Sequence, residues 1–197
     1  MNYIKKSLAL STVVSKKMTT NDPQRLEEIK DRLKSRFGNP IGLHMTGIPL
    51  GISTVLAIFC YAMPQVAVST IIIKWLMIPE YKVLAGVFFA AIAYTILIVT
   101  TMFATARGSL IGYKLYLSLI TLTGMVAVIF FCSSFFSLLV DNISNYTPQI
   151  TSLLGILFLL LNCKWLNSPL FYRSVALCLH NRVWRKQMKI QEQNHLR

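Results

Sequence analysis

The sequence predicts an all-α, polytopic integral membrane protein with four transmembrane helices and an amphipathic cytoplasmic helix at each end. Three observations carry that prediction. Residues 83–106 and 115–140 are each more than 20 residues long and contain no Asp, Glu, Lys, Arg or His. At about 1.5 Å of helical rise per residue, roughly 20 apolar residues cross the hydrocarbon core of a bilayer. The whole chain of 197 residues is 54% hydrophobic and 14% charged, well below the charge content of about 25% usual in soluble domains. The charge is also lopsided, with 20 Lys and Arg against 7 Asp and Glu, and it gathers outside the apolar runs. Basic segments beside apolar spans point to membrane orientation and anionic lipid headgroups, so no nucleic-acid partner is expected.

Residues 1–46 form a cytoplasmic N-terminal tail. Residues 1–20 imitate a signal peptide: Lys5 and Lys6 precede a short apolar part from Leu8 to Val14, interrupted by Ser11 and Thr12. Lys16 and Lys17 follow at once without an A-x-A cleavage site, which predicts a retained tail. Residues 22–37 predict a helix. Asp22 suits the N-cap, Pro23 the first turn, and Gly38 and Pro40 the stop. Leu26, Ile29, Leu33 and Phe37 make one narrow apolar stripe, with charge on the other sides.

The membrane domain covers residues 47–166, with spans at about 47–73, 83–106, 115–140 and 150–166. The first contains Pro64, where a kink is expected, followed by Gln65, whose amide needs a partner in hydrocarbon. Gly47 and Gly51 form a small-residue pair at its entry. Residues 74–82 are a connector with Trp75 and Tyr81 as interfacial anchors and Pro79 at the turn. In the second span, Gly86, Ala90 and Ala93 are candidates for close helix packing. Arg107 to Lys114 is a basic turn. Ser and Thr recur along the third span, where each can bond its own backbone. Residues 141–149 have turn composition and no basic residue. The fourth span ends near Asn162 and Lys164, where Lys can snorkel.

Residues 167–197 form a basic cytoplasmic segment. Ser168 as N-cap and Pro169 at the first helical position start a helix running to about Gln191. It mixes Phe171, Val175, Leu179 and Val183 with Arg173, Arg182, Trp184, Arg185, Lys186 and Lys189. That mixture predicts a helix in the membrane interface, with the last six residues as lipid-headgroup contacts. With four spans, both tails, the Arg107–Lys114 turn and Lys164 at the end of the fourth span share one side and hold 18 of the 20 basic residues. The positive-inside rule places that side in the cytoplasm, and a bacterial inner membrane is expected.

No catalytic motif stands out. The chain has no G-x-S-x-G, no H-E-x-x-H, no phosphate-binding loop and no paired carboxylates. Tyr172, Arg173, His180, Asn181 and Arg182, with Asn162, are the polar groups from which a membrane enzyme would have to be built. Cys60, Cys132, Cys163 and Cys178 form no CxxC pair, and the three histidines have no ligand spacing, so no metal or cofactor is expected. The expected class is a non-enzymatic protein that binds a membrane protein partner, or further copies of itself. Its layout is similar to that of membrane-embedded immunity proteins, plasmid entry-exclusion proteins and inner-membrane accessory subunits. No motif accompanies that similarity, so no residue role is transferred. The alternative is a small oligomeric channel or permease, its pore lined by Ser, Thr and Gln65.

Overall fold

The computed structural model describes residues 2–19, 22–37, 47–77, 79–140 and 146–195. Among them the chain is helical, without strands: α1 Tyr3–Lys17, α2 Pro23–Phe37, α3 Ile48–Trp75, α4 Val83–Ala106, α5 Leu110–Val140, α6 Thr147–Leu166 and α7 Pro169–His195. A short 3-10 turn, Glu80–Lys82, precedes α4, with Lys82 N–H donating to the Pro79 carbonyl at 3.0 Å. Four helices are long and apolar enough to cross a membrane: Ile48–Thr70, Val83–Ala106, Leu110–Ser137 and Thr147–Leu166. Gly38, Pro40 and Asp141 fall outside the described residues.

The structure adds to the sequence expectation at three places. Residues 3–17 form a helix, which the reading of residues 1–20 as a retained tail does not specify. Asn2 caps it, its side chain accepting from Lys5 N–H at 3.2 Å. The buried side is Ser7, Ser11, Val14 and Met18, spaced 4, 3 and 4. Two of these four are serines, so hydropathy hides the stripe. The basic turn is also shorter than Arg107–Lys114, because α5 already begins at Leu110. Gly108 adopts φ +79°, a backbone that glycine tolerates without Cβ strain. Gly108 N–H donates to Thr105 O at 2.8 Å and Ser109 N–H to Ala104 O at 3.0 Å, the pattern of a Schellman stop. Ser109 then caps α5, its hydroxyl accepting from Gly112 N–H at 3.2 Å. Finally, Pro64, where the sequence predicts a kink, lies inside a single helix, α3.

The chain divides into two units. The first comprises Met1–Ser53, Thr100–Tyr116 and Lys164–Arg197; the second comprises Thr54–Val99 and Leu117–Cys163. In the second, Lys74 and Lys82 balance Glu80 and Asp141, so the first carries the entire net charge of +13.

Within the apolar second unit, each helix meets two neighbours. The rings of Tyr61 on α3 and Tyr94 on α4 stack with centroids 3.9 Å apart, and Phe59 on α3 stacks on Phe158 of α6 at 5.3 Å. Tyr94 shares a 2.8 Å hydrogen bond with Thr123 on α5. Gln149 on α6 donates to the Ser134 carbonyl on α5 at 3.2 Å. A Cβ at Gly124 would stand 2.8 Å from Leu159 Cδ1, so the missing side chain lets α5 and α6 approach. The order of contact is therefore α3–α4–α5–α6 and back to α3.

In the basic first unit, α7 is the central element. Residues 174–179 are all buried, so the segment is enclosed on every side rather than presenting a single apolar face. It packs against α1 and α2. The predicted α2 stripe supplies part of this core, with Leu26, Ile29 and Leu33 buried.

Candidate functional site

The polar and charged side chains of the basic unit converge around α7. Ser168 starts that helix as expected, its hydroxyl accepting from Phe171 N–H at 3.1 Å. Phe171 is fully buried and tilts against Tyr113 at 6.4 Å. The Tyr113 hydroxyl shares a 2.6 Å hydrogen bond with Ser7, tying α1 to the first turn of α5. Trp165 Nε1 donates to the Pro49 carbonyl at 2.9 Å, and Tyr3 N–H donates to Asn167 Oδ1 at 2.7 Å. These bonds hold the start of α3 and of α1 beside the α6–α7 junction.

The α4–α5 turn lies hard against α7. A Cβ on Gly108 would be 2.9 Å from the Cys178 carbonyl oxygen and 3.0 Å from Arg182 Cβ. At this contact Arg182 Nη1 donates to the Gly108 carbonyl at 2.9 Å, and Arg185 Nη2 to the Arg107 carbonyl at 2.9 Å. The Schellman bonds occupy the carbonyls of residues 104 and 105, and the two arginines take those of Arg107 and Gly108 just beyond the helix. Lys186 Nζ donates to the Met18 carbonyl at the end of α1. Cations at helix C-termini also meet the negative pole of the backbone dipoles. Three of the six residues expected to touch lipid headgroups thus close the ends of two helices. Of the others, Arg173, Trp184 and Lys189 are exposed.

On the α2 side, Gln187 Nε2 donates to Glu27 Oε2 at 2.6 Å, and Lys30 pairs with Glu27 at 2.5 Å. The Lys30 hydrogen bond first, then that from Gln187, holds the Glu27 carboxyl below its ordinary value. Burial pushes the Cys178 thiol up to about 11, which keeps it protonated and unreactive near neutral pH.

A cleft of about 550 Å³ opens between the end of α1 and α7, lined by Ser15, Thr19, Arg182, Arg185, Lys186 and Lys189 together with Met18. Sequence reasoning found its four cations as a row on one helix. It missed the α1 wall, because α1 itself was missed. The legible signal was the spacing 182, 185, 186 and 189, which puts all four on one helical face.

The other sequence candidates lie apart from this cleft. Gln65 is buried and donates to the Val87 carbonyl at 2.5 Å. Along α4 the inward positions are Tyr94 and Ile98, while Gly86 and Ala90 are half-buried and Ala93 is exposed. Tyr172 tilts against Tyr3 at 6.1 Å, and Arg173 and Asn181 are exposed, so the polar groups of α7 have separate surroundings. Among the described residues no group of three or more His, Cys, Asp or Glu could hold a metal ion.

Fold and site together define a helical protein with four membrane-crossing candidates and a strongly basic, separately packed unit. No family model, no curated protein and no solved structure matches the chain.

Proposed function

We propose that this chain is a non-enzymatic integral membrane protein that acts by binding a partner protein within the bilayer, either as an immunity-type protein that neutralises a membrane-active toxin or as an accessory subunit. The observation that carries the reading is where the polar groups of the spans go. Gln65 donates to Val87, Tyr61 donates to Ala90 at 3.4 Å, and Tyr94 bonds Thr123. Thr70, Thr121, Ser133 and Thr151 return to carbonyls of their own helices. Gln65, Tyr94 and Thr123 are thus engaged inside the protein, while Thr121 and Ser133, on exposed faces, spend their hydroxyl protons on their own helices. The exterior of α4 is left to Leu84, Phe88, Phe89 and Ile96, all exposed. In lipid, helix association rests on shape and close packing rather than on hydrophobic burial. A partner helix fits such a surface better than an ion does.

The bacterial inner membrane and cytoplasmic termini belong to the same proposal. Their support is the net +13 confined to one unit, which matches the positive-inside pattern. Exposed Arg173, Trp184 and Lys189 suit contact with anionic headgroups on that side.

The test is crosslinking in cells, purification in mild detergent and mass spectrometry. One dominant membrane-embedded partner, crosslinked through residues of Val83–Ala106, is the expected result. Recovery of the chain with only itself, together with ion flux when it is placed alone in liposomes, would replace this reading with a small oligomeric channel or permease.

A further inference from the structure

We propose that the cleft between the end of α1 and α7 binds a phosphate-bearing ligand with two or more negative charges. At about 550 Å³ the cleft has the volume of an ordinary small-ligand site. Arg182, Arg185, Lys186 and Lys189 line it, and no carboxylate does. Along α2 and its cap, Asp22 pairs with Arg25 and Glu27 with Lys30.

Helix capping accounts for part of the charge. Arg182, Arg185 and Lys186 each reach a carbonyl at the end of α4 or α1. A carbonyl dipole offsets only a fraction of a unit charge. Like charges three and four residues apart on a helix repel. Lys189 lines the cleft beyond the capping contacts. A guanidinium has five N–H donors, and the bonds to Gly108 and Arg107 engage one nitrogen of each arginine. The remaining edges suit the forked geometry of phosphate oxygens. Ser15 and Thr19 line the α1 side of the cleft.

Two sources share this chemistry: a lipid headgroup and a soluble phosphate compound. The arginines rest on Arg107 and Gly108, the two residues that follow the span ending at Ala106. In a bilayer that is the depth of headgroup phosphates, which favours the lipid source. The choice of source rests on the membrane reading; the phosphate chemistry does not, and neither depends on the partner protein proposed above.

The test uses the full chain in uncharged detergent with inorganic pyrophosphate, and in nanodiscs of phosphatidylcholine containing either cardiolipin or phosphatidylglycerol at equal total charge. Lys189→Gln removes a cleft cation without touching a helix cap; Lys34→Gln, an exposed position on α2, is the control. Saturable pyrophosphate binding is expected, weakened about fivefold by Lys189→Gln and unchanged by Lys34→Gln. Preference for cardiolipin over phosphatidylglycerol, relieved by pyrophosphate, assigns the site to lipid. Pyrophosphate binding without that preference sustains the site and assigns it to a soluble ligand. Absence of saturable pyrophosphate binding, with equal loss of nanodisc binding in the two variants, would overturn the proposal in favour of diffuse surface charge.

Discussion

Gly108→Ala tests whether the α4–α5 turn is locked onto α7. Two costs add. Gly108 has φ +79°, and holding an L-residue in that left-handed region costs about 1–2 kcal/mol. The new methyl carbon would also stand 2.9 Å from the Cys178 carbonyl oxygen and 3.0 Å from Arg182 Cβ. The first of these atoms is helix backbone enclosed in the core, so it cannot yield as the end of a long side chain would. Overpacking of this kind costs about 1–3 kcal/mol. Together the loss of stability should be about 2–4 kcal/mol, since relief of one strain partly relieves the other. Gly51→Ala is the matched comparison. It lies in the same unit, within α3, and a Cβ there would meet nothing within 4 Å. Restricting the unfolded chain should then stabilise by about 0.4–1 kcal/mol. Denaturant titration in detergent, followed by circular dichroism and by Trp fluorescence, measures both. Equal small effects of the two substitutions, or a neutral Gly108→Ala, would refute the close approach of the turn to α7.

Two further predictions concern the two units separately. Gln65→Leu removes the bond to Val87 and should cost only about 0.6 kcal/mol, with an upper bound near 1.7, because the unfolded reference in a membrane also finds partners for the amide; titration of the variant in detergent checks the value, and a loss well above that bound would mean Gln65 holds more than this one contact. Lys30 and Gln187 depress the Glu27 carboxyl, so its contribution is present above the ordinary carboxylate range and lost as pH falls through its folded value. The denaturation midpoint should therefore fall with acidification in the wild type and less steeply in Glu27→Gln; parallel slopes would count against the α2–α7 link.

Much of the site was visible as residues but not as an arrangement. Asp22 and Ser168 marked the starts of α2 and α7 because a cap is a local hydrogen bond: Asp22 Oδ1 accepts from Gln24 N–H at 3.1 Å, and Ser168 acts likewise on Phe171. The row of cations on α7 was equally plain. Their partners were not, since the Gly108 and Met18 carbonyls lie 74 and 168 residues away along the chain. The enclosure of residues 174–179 was hidden for the same reason. A helix mixing Arg and Leu looks interfacial until α1 and α2 are known to cover it. For α1, two serines on the buried side removed the hydropathy contrast on which periodicity depends.

The sequence by itself determined that the chain is helical, that four segments can cross a membrane, and that positive charge gathers at their ends and beyond them. Length, apolar content and charge are properties of a segment, and the bilayer reads them segment by segment. Only the tertiary structure decided that Gln65 meets Val87, that Tyr61 stacks on Tyr94, that the turn after α4 closes in three residues, and that arginines from α7 finish a helix from another part of the chain. Each of these depends on two backbones approaching within a few ångströms. Side-chain volume and hydrogen-bond geometry set that approach, and hydropathy carries neither.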